Sequence, residues 1–194
     1  MVRVTAKADS PEACDALMEP VMDEIEERMG DYIYGIDCGS LENRVMELLL
    51  DNDATLAAAE SCTGGLVAQR LTEIPGSSQV FRGGVVVYTV DAKCELLGLK
   101  PEFIEENGVV SAPVAIKMAK KVRKRLGATF GVGITGWAGP DGDDVGLVYV
   151  ALAVKGESFV RRLNLGKIPR GRVRVIAASN AFDMVRRYLT GLDI

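Results

Sequence analysis

Apolar and polar positions alternate at the start of the chain, with Val2, Val4 and Ala6 set against Arg3, Thr5 and Lys7. That period of two predicts a half-buried strand. Ser10-Pro11 follows as an N-cap and a proline at the first helical position. Leu17, Val21 and Ile25 then recur every four residues along one helix face, with Met18, Met22 and Met29 nearby. Pro20 lies inside this pattern and is expected to kink the helix. Gly30 closes it, and Tyr32-Ile33-Tyr34 reads as a second strand. The pattern predicts a β-α-β unit over residues 1–38, too small to hold a stable core alone.

From Gly39 the pattern changes to repeated strand and helix. Ser40 caps a helix carrying Val45, Met46, Leu48 and Leu49, and an apolar run over Thr55–Ala59 reads as a strand. A helix over 65–73 ends before Pro75-Gly76-Ser77-Ser78, and Gly84–Tyr88 has the composition of a buried strand. Asp91 is placed to cap a short helix stopped by Gly98, and Pro101 opens another that ends at Asn107-Gly108. Ser111 caps a long helix with Val114, Met118, Val122 and Leu126 as its apolar stripe. Thr129–Ile134, Leu147–Val154 and Ser158–Val160 read as strands, and a last helix is expected from about Arg172 to Leu189. This alternation predicts an α/β fold over residues 39–194, a three-layer α/β/α sandwich around a mostly parallel, mixed sheet.

Composition narrows the function classes. Apolar residues make up 48% and charged residues 26% of the 194, ordinary for a globular protein. The net charge of −4 argues against a surface built to grip nucleic acid. No apolar run approaches the ~18–20 residues that cross a bilayer, and no signal peptide precedes the first strand-like segment, so the expected location is the cytoplasm. Cys14, Cys38, Cys62 and Cys94 show no CxxC spacing, which argues against a disulfide framework or a zinc site. The chain has no histidine. Ser-His-Asp and Cys-His catalysis are therefore excluded, and Lys, Tyr, Asp or Glu must carry any proton.

Two glycine-rich stretches remain to carry chemistry, Glu60-Ser61-Cys62-Thr63-Gly64-Gly65 and Thr135-Gly136-Trp137-Ala138-Gly139-Pro140. Each follows a strand, so both belong at strand carboxyl ends, where open α/β sheets bind ligands. Neither matches the P-loop or dinucleotide patterns. The first stretch reads either as a nucleophile's seat or as a phosphate cradle, and two tight turns needing glycine would satisfy the same pattern. Ser61 needs a base to act as a nucleophile. Lys93, in the first turn of a short helix, is a candidate because burial and the helix N-terminus both disfavour an ammonium. Tyr88 is placed to relay the proton or orient the base, although spacing alone favours a surface lysine and a core tyrosine. Cys62 is a rival nucleophile, or a small buried hydrophobe. The basic run from Lys117 to Arg125 reads as a solvated helix face. One of Arg170, Arg172 and Arg174, ahead of the final helix, is positioned to meet a phosphate.

Taken in order, Ala59–Gly65, Pro75–Ser78, Phe81–Tyr88 with Lys93, and Gly133–Pro140 resemble the CinA C-terminal domain family. The resemblance runs from about Ser40 to Leu189. It implies an α/β/α fold and nicotinamide-nucleotide amidase activity, the metal-free and cofactor-free hydrolysis of nicotinamide mononucleotide to nicotinic acid mononucleotide and ammonia. By position it implies Ser61 as nucleophile, Lys93 as base and Tyr88 as its partner. It implies substrate contacts at Ser78, Thr135 and Gly136, with Gly139 in the same loop and Arg170 before the last helix. N–H groups near Thr63, Gly64 and Gly65 are then the expected oxyanion donors.

Val4–Ala8 and Gly30–Gly35 resemble the KH-type middle segment of longer CinA proteins, without the Gly-x-x-Gly clamp that would grip RNA. No counterpart of the amino-terminal molybdopterin-binding-like domain is present, so activities tied to that domain are not expected. Two departures bear on substrate. Val90 stands where the family commonly has Asn, and the loop between Gly139 and Gly146 is short and acidic, with Asp141, Asp143 and Asp144. The expected partner is a small nucleotide substrate, with no nucleic acid or membrane, and the incomplete core of residues 1–38 implies a homo-oligomer. The alternative is a non-catalytic nucleotide-binding module of the same fold.

Overall fold

The computed structural model describes residues 2–140 and 144–194. They form two compact units, Met1–Asp37 and Cys38–Ile194. In the first, helix α1 spans Pro11–Met29, with Ser10 Oγ accepting the Ala13 N–H at 3.2 Å and Pro11 in the first turn. It runs through Pro20 without interruption. The two strands expected beside it are absent among the described residues: Val2–Ala6 makes no ladder, and Gly30–Tyr32 is a turn of 3-10 helix. The reason is physical. A strand needs a partner for its N–H and C=O groups, and α1 buries no residue against which two such segments could pair.

The second unit is the predicted α/β/α sandwich. Helix α2 (Leu41–Asp51), capped by Ser40, leads to β1 (Leu56–Glu60), α3 (Leu66–Thr72) and β2 (Phe81–Val86). Next come α4 (Val90–Leu97), α5 (Pro101–Asn107), α6 (Ala112–Arg125) and β3 (Phe130–Gly136). The antiparallel strands β4 (Leu147–Ala153) and β5 (Ser158–Asn164) precede α7 (Arg170–Leu189). The sheet order is β2-β1-β3-β4-β5. β1 pairs in parallel with β2 and β3, while β3–β4 and β4–β5 are antiparallel.

One face of the sheet, including Leu56, Ala58, Val132, Ile134 and Val150, packs with α2, α3 and α7 residues such as Leu49, Leu71 and Phe182. The other face, through Ala57 and Ala59, packs with Leu97, Ile104, Val114 and Met118 of α4–α6. β1 is buried along its whole length, as its apolar run requires. β2 differs from expectation. It lies at the sheet edge, starts three residues and ends two residues earlier than predicted, and alternates between half-buried and exposed positions. Val87 and Tyr88 have already left the strand.

Candidate active site

β1 and β3 are parallel neighbours, so both glycine-rich stretches begin at the same edge of the sheet. Ser61 leaves β1 with its N–H bonded to the Ile134 C=O at 3.0 Å. The turn then needs left-handed backbone at Gly64 (φ 62°) and Gly65 (φ 92°), where a Cβ would be strained. Glu60 fixes the exit. Its carboxylate, only 1% exposed, accepts the N–H groups of Val67 at 3.1 Å and Ala68 at 3.0 Å in the first turn of α3. A carboxylate there satisfies two orphan donors and faces the positive end of the helix. Sequence reasoning missed this residue, although an acidic side chain ending a wholly apolar strand was a visible signal.

The candidate base lies across from the turn. Thr89, not the expected Asp91, caps α4 by accepting the Ala92 N–H at 3.1 Å. Lys93 is the fourth residue of that helix and is fully buried. Its Nζ lies 3.2 Å from Ser61 Oγ and donates to the Val87 C=O at 2.8 Å. Burial pushes its pKa below the ordinary lysine value, against an opposing pull from Cys62 and Cys94. A neutral amine beside a buried hydroxyl can accept the serine proton.

Cys62 has the opposite character. Burial pushes its pKa up to about 11, outweighing its own backbone N–H and the nearby Arg170 and Lys93 charges. The thiol packs in the apolar cluster with α2, α3 and α7, the setting of a core residue and one that disfavours a reactive thiolate.

The remaining expected residues divide. The Gly64 N–H is engaged by the Ser61 C=O at 3.1 Å, which removes it from the expected oxyanion donors, whereas the N–H groups of Thr63 and Gly65 have no acceptor among the described residues. Thr63 Oγ1 is buried and unpaired among them, and its C=O receives Arg174 through Nε at 3.1 Å and Nη2 at 2.8 Å. Arg174 thus braces the turn. Thr135 donates its hydroxyl to the Val109 C=O at 2.8 Å. A Cβ on Gly136 would meet Val148 Cγ2 at 2.7 Å, so the close approach of β4 explains that glycine. Arg170 Nη1 donates to the Gly139 C=O and Nη2 to the Tyr88 hydroxyl, each at 2.7 Å. Tyr88 therefore partners Arg170, and the Val87 carbonyl orients Lys93.

Ser78 is not brought to this place. It is exposed in the turn before β2, where Phe81 pairs with Leu56 at the start of β1. Five residues of strand separate that edge from Ser61, roughly 16 Å at ~3.3 Å per residue. Of the acidic loop, Asp141 and Asp143 lie outside the described residues. Val90 opens α4 and is 41% exposed.

The family model of the CinA C-terminal domain matches residues 39–189, and that of the damage-inducible protein CinA KH domain matches residues 1–35. The chain belongs to the CinA C-terminal domain family. A CinA-like protein of Desulfovibrio desulfuricans is 46% identical over all of this chain and 47% of its own length. A putative competence-damage inducible protein of Acetivibrio thermocellus is 46% identical over 98% of the chain and 47% of its own length. The chain thus spans about half the length of the curated CinA relatives it matches. Among solved structures, the competence/damage inducible protein CihA from Agrobacterium tumefaciens superposes with a TM-score of 0.75 at 36% identity, covering 81% of this chain and 98% of that one. A CinA superfamily protein from Klebsiella pneumoniae gives 0.74 at 26% identity, over 78% and 96%. The CinA C-terminal match includes Ser61, Lys93, Thr135 and Arg170.

Proposed function

We propose that this CinA domain is an amidohydrolase that converts nicotinamide mononucleotide to nicotinic acid mononucleotide and ammonia. The observation that carries the reading is Lys93 Nζ at 3.2 Å from Ser61 Oγ in a buried setting. A histidine-free chain has no stronger base to offer that hydroxyl.

Ser61 Oγ attacks the carboxamide carbon as neutral Lys93 takes its proton. The tetrahedral oxyanion faces the N–H groups of Thr63 and Gly65, each such donor contributing ~3–4 kcal/mol. The Lys93 ammonium then gives its proton to the departing nitrogen, the C–N bond breaks, and ammonia leaves an acyl-Ser61 ester. Water attacks that ester with Lys93 again as base, releasing the carboxylic acid and restoring the serine. Arg170, with three of its five N–H groups still available, meets the phosphate. We assign the reaction to a small-molecule nucleotide in the cytoplasm and to a homo-oligomeric enzyme.

A colourimetric ammonia assay on the purified protein tests this. Release above blank that disappears in Ser61→Ala is the expected result. No release, or full activity in that variant, overturns the reading. A nucleotide-dependent thermal shift without ammonia would mark a binding module instead.

A further inference from the structure

One contact at the rim of the site has no part in the Ser61–Lys93 chemistry. Tyr88 is 56% exposed, and its hydroxyl accepts from Arg170 Nη2 at 2.7 Å while Arg170 Nη1 is held by the Gly139 C=O. A proton relay would need a hydrogen-bonded path from that hydroxyl to the base or nucleophile. Lys93 Nζ instead bonds Ser61 Oγ and the Val87 C=O, and no bond joins Tyr88 to either reactive group among the described residues. What is present is a holder for a guanidinium. Two acceptors, one from the β2–α4 connection and one from the β3–β4 loop, hold a long flexible side chain in one place. Ordering such a chain beforehand lowers the entropy lost when an anion binds.

We propose that Tyr88 is a positioning residue for Arg170, setting the affinity for the substrate's phosphate rather than moving a proton. The proposal rests on the nucleotide reading above. Tyr88 then acts on substrate binding, and its removal leaves the chemical step alone.

The test combines steady-state kinetics on Tyr88→Phe with calorimetric titration of nicotinamide mononucleotide into Ser61→Ala and Ser61→Ala/Tyr88→Phe, which reads binding without turnover. Loss of one hydrogen bond to a charged group should raise KM and Kd about tenfold, with kcat held within about twofold. Binding of the phosphate-free nucleoside should not change. In an Arg170→Ala background the Tyr88→Phe effect should vanish, because the two changes remove one device. A large fall in kcat with Kd unchanged overturns the proposal, as do effects of the two substitutions that multiply independently. If the wild type binds the nucleotide but releases no ammonia, the amidase reading fails and the calorimetric arm still decides this one. If it binds no nucleotide, both fail.

Discussion

The two glycine-rich segments share an edge of the sheet and treat their polar groups in opposite ways. In the Ser61 turn the groups that shape the backbone are committed inside the protein, the Glu60 carboxylate to α3, the Ser61 N–H to β3 and the Thr63 carbonyl to Arg174, while the Thr63 and Gly65 N–H groups stay open among the described residues. The segment after β3 is tied to the rest of the site through Gly139 by one exposed arginine, itself shared with an exposed tyrosine. The difference is one of task. A nucleophile and base need fixed geometry before substrate arrives, whereas a binding rim is effective with a few well-placed donors.

The sharpest way to break this contrast is to remove the proposed nucleophile. Ser61→Ala should lower kcat by on the order of 10⁴-fold or more, measured as ammonia release. Lys93→Met should cost about 10³-fold, in the range of a lost general base. The same variant tests the electrostatics. Because the folded pKa of Lys93 is depressed, the unfolded chain binds its proton more readily. Wild-type stability should therefore rise with pH between that lowered value and the ordinary 10.5, and Lys93→Met should flatten the rise in denaturant midpoints.

Glu60→Ala leaves two α3 donors unpaired and should destabilise the fold by roughly 2–3 kcal/mol, read by denaturant titration. Retained stability would show that the turn is held by Arg174 and β3 alone. The smallest effect is expected at the thiol. Cys62→Ala should keep ammonia release within about twofold, and a larger loss would reopen its candidacy as nucleophile.

Much of this arrangement was legible in the chain itself. Period and caps located α2, α5 and α6 closely, and the absence of histidine directed attention to Lys93. Three things were not legible, each for a physical reason. The apolar run near Val85 reads the same in a central or an edge strand, because composition does not encode which neighbours a strand finds. The alternation of Val2 to Ala6 predicted a strand, but alternation supplies no partner to pair with. The strand exit and the family motif both place Tyr88 with Lys93, yet its hydroxyl reaches a residue 82 positions away. Ser78 shows the converse, since a motif match carries no information about which edge of the sheet a residue occupies.

The backbone of Val87 has a mechanical consequence. Its N–H is bonded to the Glu60 carbonyl at 2.8 Å and its C=O to Lys93 Nζ at 2.8 Å. One residue therefore links, through two hydrogen bonds, the residue before Ser61 to Lys93. While both bonds hold, Ser61 and Lys93 stay registered to the same short piece of backbone. Heating should then leave the dyad aligned until the sheet itself comes apart, so loss of turnover should coincide with the melting transition rather than precede it.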